Sequence, residues 1–397
     1  MRLRKHIHLF IRRTVFWLVS GINFVIPKKK NRIFIADTST VRDNQYILAK
    51  YLVSAGYNDK YEIAFYTDDE NWIDKELLKK LTLVKGKANG LWYRWTAKYV
   101  FWAFGSNFMS CASPPWQTTV DMWHGFGLKK IQYESMKNKK ATIPIEYTFN
   151  KVIISSELYR KMVKRSLHCS DSKVTICGAP KVDALFQNGY GLQKLGVLER
   201  GFDKVIFYLP TYRNSSRLGC SGYSQDLPMI NEDTIKDIND SLRKLNCCLV
   251  VKLHHTAQRD NNIAITKQTY SNVVFLTNDD FNRYDAHFYN SLGQADALIT
   301  DYSSVYQDYL VLDRPIAFVI DDFEEYEEIR GFNFKNPLQL MPGHLIRNVK
   351  DFSDFISDVA TGRDTYEVKR GELSKVINEN TSRDNCKLLL DKCDIHK

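Results

Sequence analysis

The sequence contains no Walker A sequence, no G-x-G-x-x-G and no G-x-S-x-G, so none of the common phosphate-loop, dinucleotide or serine-hydrolase signatures claims it. Its eight cysteines include no CxxC and no zinc spacing with histidine, which removes a structural zinc module and reads as reduced thiols. No acidic cluster resembles a Mg²⁺ site, and assistance by Mg²⁺ is left open. There is no low-complexity segment or short-period repeat, and a composition of 44% hydrophobic and 26% charged residues excludes a disordered chain. Long hydrophobic runs are also missing. The uncharged stretch TVFWLVSGINFVIP (14–27) is shorter than the ~20 apolar residues a spanning helix needs.

What is present fits a folded, basic protein. At 397 residues the chain has room for two packed domains of about 150 to 200 residues each. A formal charge of +10 suits phosphate-bearing partners, although charge alone does not choose among nucleic acid, anionic lipid and phosphorylated substrates. The amino-terminal stretch is basic on both sides of its apolar run and contains Trp17. That pattern predicts a segment, residues 1–30, lying in an anionic membrane interface; the alternative is a buried first helix.

From Asn31 onward, β-branched runs alternate with helical spacing. NRIFIADTS precedes NQYILAKYLVSA, KVIISS precedes ELYRKMVKRSLH, and KVIFYLPTYR opens a second series. Such alternation predicts βαβ units and parallel sheets. The expected architecture is α/β: two facing Rossmann-like domains, residues 31–190 and 191–375, with a cleft between them and a carboxyl-terminal helix over 376–397.

Open α/β sheets bind ligands beyond the carboxyl ends of their strands, so polar residues just after β-runs are the candidates. Four endings qualify. VDMWHGFGLKK places His124 between Trp123 and Gly125, where the glycine permits close backbone approach and Lys129 and Lys130 follow. A strand-end imidazole there can act as a general base. YLPTYR supplies Thr211 and Arg213, whose guanidinium can grip phosphate bidentately. VKLHH supplies Lys252, His254 and His255. LITDYSS ends with Thr300, Asp301, Ser303 and Ser304 at the expected start of a helix, where free amides and hydroxyls suit a phosphate. Each ending also has a plain structural reading, as a cap or a surface side chain, when taken alone.

Taken in order, the endings resemble the CDP-glycerol glycerophosphotransferase family, which builds teichoic acids and related capsular polymers. Trp123, His124, Gly125, Leu128, Lys129 and Lys130 match its WHG-T-P-L-K-K pattern, with Phe126 and Gly127 replacing the usual small residue and proline. Gly178, Pro180, Lys181 and Asp183 meet G-x-P-R-x-D. Pro210, Thr211, Tyr212 and Arg213 meet P-T-W/Y-R, and Lys252 and His254 meet K/R-x-H-P with His255 in place of proline. LITDYSSVYQDYLVLDRPIAF, RGF at 330–332 and PG at 342–343 complete the series.

The resemblance implies a GT-B-like fold with the donor nucleotide held mainly by the second domain. It implies a peripheral, monotopic enzyme on the cytoplasmic face of a bacterial membrane, with no nucleic acid as partner. The expected donor is CDP-glycerol, with CDP-ribitol as the alternative, and the acceptor is a hydroxyl of an undecaprenyl-diphosphate-linked or polymer chain. In this reading His124 is the base. His254 and Arg213 offset charge on phosphate oxygens, Thr300, Ser303 and Ser304 hold the diphosphate, and Asp301 orients a neighbour or the polyol. A sugar-nucleotide glycosyltransferase would share the architecture. A non-catalytic anionic-surface binder would leave the four endings unexplained.

Overall fold

A computed structural model describes residues 2–37, 43–103, 111–135, 144–187, 189–211, 213, 227–252 and 269–397, with side chains from residue 9 onward in the first helix. His254, His255, Tyr212 and Cys220 lie outside the described residues. The chain packs as two units: 1–126 with 131–184 and 380–397, and 127–130 with 185–379.

The first unit is built on seven parallel strands: β1 (Lys29–Ala36), β2 (Glu62–Tyr66), β3 (Thr82–Val84), β4 (Ala97–Trp102), β5 (Thr118–Asp121), β6 (Lys151–Ile154) and β7 (Val174–Ile176). Their order is β3-β2-β1-β4-β5-β6-β7. Ile33, Phe34 and Ile35 are fully buried, so β1 is covered on both faces, as a parallel sheet requires. Helix α1 (Arg2–Val25) precedes the sheet, and α2 (Asn44–Ser54) returns from β1 with Asp43 capping its first amide at 2.8 Å.

In the stretch 376–397, where the sequence suggested a carboxyl-terminal helix, the helix Asn385–Asp391 packs within this unit. The Asp183 carboxylate accepts from Asn385 N and Nδ2 at 2.7 Å and from Cys386 N at 2.9 Å. Gly178 lets the segment approach, because a Cβ there would sit 2.0 Å from Asn385 Oδ1. The glycine and aspartate of GAPKVD are therefore a clamp on the end of the chain.

The second unit has six parallel strands: β8 (Lys204–Leu209), β9 (Cys247–Lys252), β10 (Val273–Leu276), β11 (Ala297–Thr300), β12 (Ile316–Val319) and β13 (His344–Ile346), ordered β10-β9-β8-β11-β12-β13. Helices Thr234–Lys244 and Val349–Thr361 cover one face through Ile238, Leu242, Phe352 and Ile356. Both sheets therefore follow the doubly wound order, running outward from the first strand to the third and then crossing to the fourth. Each has a switch point, between β1 and β4 and between β8 and β11, where ligands of such sheets bind.

Candidate active site

At the second switch point Thr300 lies in register with Leu209, so the chain leaves β8 and β11 side by side. Fully buried Asp301 ties the two exits together. Its Oδ2 accepts from Thr211 N and Arg213 Nη1, both at 2.7 Å, and its Oδ1 accepts from the Thr211 hydroxyl at 2.7 Å and Ser303 N at 3.1 Å.

Arg213 is only 1% exposed. Its Nε and Nη2 donate to Asp322 at 2.5 and 3.2 Å, and Nη1 donates a second time to Thr211 O at 3.0 Å. The guanidinium also stacks over Tyr326 at 4.9 Å from the ring centre. Burial opposes the charge, but Asp301 and Asp322 overcome that and hold its pKa well above the ordinary range. The Arg213 donors are thus aimed at two carboxylates rather than left open to a phosphate, an arrangement suited to fixing the turn. The buried Thr300 hydroxyl likewise donates within the protein, to Leu209 O at 2.8 Å. Thr211, Ser303 and Ser304 are half-buried, and Ser304 makes no side-chain cap to the five-residue helix Val305–Tyr309. Hydroxyls, rather than a long helix dipole, are what this turn offers an anion.

Residues 127–130 join this cluster. Lys129 pairs antiparallel with Phe332, Lys130 N donates to Gly331 O at 3.1 Å, and Asn333 N donates to Leu128 O at 2.7 Å. Gly127 packs so closely on the serine turn that a Cβ would stand 3.0 Å from Ser304 Cβ. The LKK, RGF and DYSS motifs are thereby one structure, with half-buried Lys129 and Lys130 beside the serines' segment. Lys252 ends β9 with its ammonium 4.8 Å from the Phe288 ring centre. Its partner candidate His254 lies outside the described residues.

In the first unit, β5 ends at Asp121, which accepts from Trp123 N at 2.9 Å. Trp123 adopts φ +49°, and Gly125 adopts φ +114°, a region that favours glycine. This turn leaves His124 exposed, stacked on Trp123 with ring centres 4.9 Å apart, and Phe126 also stacks on that indole at 5.4 Å. An exposed imidazole on a pinned backbone can accept a proton from a substrate hydroxyl.

Sequence reading missed Asp322, Asn44 and Asn333. Asp322 had a usable signal, because it follows the β-run RPIAFVI just as the four chosen endings follow theirs. A cavity of about 270 Å³ beyond β2 and β3 is lined by Asp68, Asp69 and Glu70 against the cation Lys85, a net negative charge unsuited to a diphosphate. Among the described residues, no group of three or more His, Cys, Asp or Glu side chains is arranged to hold a metal ion.

Residues 18–390 match the family described as CDP-Glycerol:Poly(glycerophosphate) glycerophosphotransferase. A teichoic acid poly(glycerol phosphate) polymerase of Bacillus spizizenii is 26% identical over 377 residues, 88% of each chain. The teichoic acid ribitol-phosphate polymerase TarL of Staphylococcus aureus is 25% identical over 366 residues, which is 88% of this chain and 60% of that protein. The wall teichoic acid polymerase TagF has a solved structure that aligns over 92% of this chain and 89% of that one, with a TM-score of 0.71 at 17% identity, a likeness of GT-B-like fold. With the family match running through both units and all four strand endings, the chain belongs to the CDP-glycerol:poly(glycerophosphate) glycerophosphotransferase family.

Proposed function

We propose that this chain moves glycerol phosphate from CDP-glycerol to a hydroxyl of a lipid-linked or growing polymer acceptor, releasing CMP, in the assembly of a teichoic-acid-type polymer. The acceptor oxygen bonds to the polyol-bearing phosphorus as the bond from that phosphorus to the CMP oxygen breaks. His124 takes the acceptor's proton, a role worth roughly 10² to 10⁴ in rate. Ser303 and Ser304, with Lys129, Lys130 and Lys252, hold the diphosphate, Thr211 lines the turn with its donors on Asp301, and His254 offsets charge growing on the diphosphate. Asp301 and Arg213 act through Thr211 and Ser303 by fixing the turn. The observation that carries this reading is the convergence of two strand-end motifs on Asp301 at a topological switch point.

CDP-ribitol is the second donor to test, because a ribitol-phosphate polymerase is among the relatives. We place the enzyme peripherally at an anionic membrane surface, on the cytoplasmic side, through its amino-terminal helix. Incubating the protein and bacterial membranes with CDP-glycerol and CDP-ribitol separately, with and without Mg²⁺ or EDTA, and weighing the products by mass spectrometry tests the whole scheme. Glycerol phosphate addition with CMP release is expected. Transfer of a sugar, with release of a nucleoside diphosphate, would overturn it.

A further inference from the structure

Helix α1 has two distinct faces. The inner one is locked into the first unit: Phe16, Ser20 and Asn23 are buried. Ser20 Oγ accepts from Ala112 N at 2.8 Å, and Asn23 Nδ2 donates to Ala112 O at 2.9 Å and Gln117 Oε1 at 3.2 Å. Just past the helix, Lys28 Nζ donates to Asn23 Oδ1 at 2.9 Å and Trp95 O at 2.5 Å, and buried Arg94 shares Gln117 Oε1 at 2.8 Å. Buried polar groups satisfied this way specify one docking geometry. The helix is a fixed element, and β1 begins only four residues after it ends.

The outer face is different. Ile11, Val15, Leu18, Ile22 and Val25 recur at helical spacing as one stripe, and all are exposed, Leu18 by 66% and Val25 by 78%. On the shoulder of that stripe two aromatic side chains of α1 meet exposed rings from elsewhere in the unit. Trp17 packs edge-on against Tyr147 at 5.4 Å, and Phe24 against Trp116 at 5.7 Å. Contiguous apolar surface of this kind marks an interaction site.

Charge selects the occupant. Helix α1 contains no acidic residue, and Arg12 and Arg13 near the start of the stripe and Lys29 and Lys30 beyond its end are exposed. A second copy of the chain would bring these cations against themselves. An anionic bilayer offers acyl chains for the stripe, phosphates for the cations and the headgroup level that Trp and Tyr favour.

We propose that the outward stripe of α1 together with Trp116 and Tyr147 forms one rigid composite face that docks on an anionic lipid bilayer. The proposal rests on the membrane reading above and sharpens it: the contact is not a tether, so the bilayer fixes the orientation of the first unit. Deleting residues 1–30 is a poor test, since it strips Asn23, Lys28 and two residues of β1.

The test uses the full chain and flotation with phosphatidylglycerol/phosphatidylcholine vesicles, against pure phosphatidylcholine. Two double variants are compared, Leu18→Ser with Val25→Ser, and Trp116→Ala with Tyr147→Ala, each with unchanged circular dichroism and melting temperature. Binding to anionic vesicles should fall about 10-fold or more in the first and about 3- to 10-fold in the second, because each removes interfacial apolar area. Wild-type binding by the Trp116/Tyr147 variant alone would confine the contact to α1, overturning the composite face while leaving the membrane reading intact. Wild-type binding by both variants, or no binding of the wild type to either vesicle, would overturn the membrane reading itself, and equal wild-type binding to neutral vesicles would overturn the anionic lipid as occupant. A wild-type dimer in solution that both variants dissociate would give the face to a second copy.

Discussion

Lys181 reaches the carbonyl oxygen of His124 with its ammonium at 2.9 Å. Its backbone N–H donates to Asn44 Oδ1 at 3.0 Å, and Asn44 Nδ2 donates to Trp123 O at 2.8 Å. Two successive carbonyls of the WHG turn are therefore held from behind. Trp123 needs such support, because a bulky residue at φ +49° persists only where its surroundings over-determine it.

Replacing Lys181 by Met should leave the imidazole present but poorly aimed. Steady-state kinetics should show kcat lowered roughly 10- to 100-fold, the scale of a misplaced catalytic group. KM for CDP-glycerol should stay near wild type, since the proposed donor groups belong to the second unit. Lys181→Arg, which keeps a cationic donor, should recover most of the loss. Equal damage to kcat and KM, without rescue by arginine, would make Lys181 a folding residue only.

Arg213→Met should be costly to the fold. It leaves Asp301 and Asp322 buried without their cation, a situation worth about 3 to 5 kcal/mol of lost stability. Denaturant unfolding of the variant measures it. Loss of transfer activity with unchanged stability would instead return Arg213 to the direct phosphate role that its motif suggested.

The contrast between those two arginine readings shows where sequence stops being legible. Alternating strand and helix patterns gave the two parallel sheets, because hydrophobic periodicity is local. The motifs YLPTYR and LITDYSS were also legible as strand endings. What burial did to Arg213 was not, since Asp301 and Asp322 lie 88 and 109 positions away along the chain. Asn44 and Trp123 are 79 positions apart and carried no shared signal. The amino terminus was readable as apolar and basic, yet only packing reveals that Ser20 and Asn23 face inward while Leu18 and Val25 face out.

Ser303→Ala combined with Ser304→Ala separates ligand binding from folding. Both side chains are half-buried at the turn, and neither hydroxyl is part of the Asp301 hub, which uses the Ser303 amide. Isothermal titration should show CDP-glycerol affinity weakened roughly 10-fold or more, as expected for two lost hydrogen bonds, with little change in melting temperature. Undiminished affinity would remove the hydroxyls from the diphosphate site.

The lysine that fastens α1 should leave a mark on stability at alkaline pH. Burial, with help from the positive charge of Arg94, lowers the Lys28 pKa from 10.5 to about 8. A smaller influence of Cys111 runs the other way, and the acceptors Asn23 O, Asn23 Oδ1 and Trp95 O also favour the ammonium. Below pH 8 both folded and unfolded chains carry the proton, so the penalty for burying the charge is constant. Between about 8 and 10.5 the unfolded chain binds more protons than the folded one, and stability rises with pH through that window. Other groups titrate there as well, so the comparison is with Lys28→Met. The stability of the wild type relative to the variant should climb from pH 8 to 10.5 in parallel melting experiments. A flat difference would mean the three acceptors hold the ammonium against burial, and that α1 is pinned by a full charge.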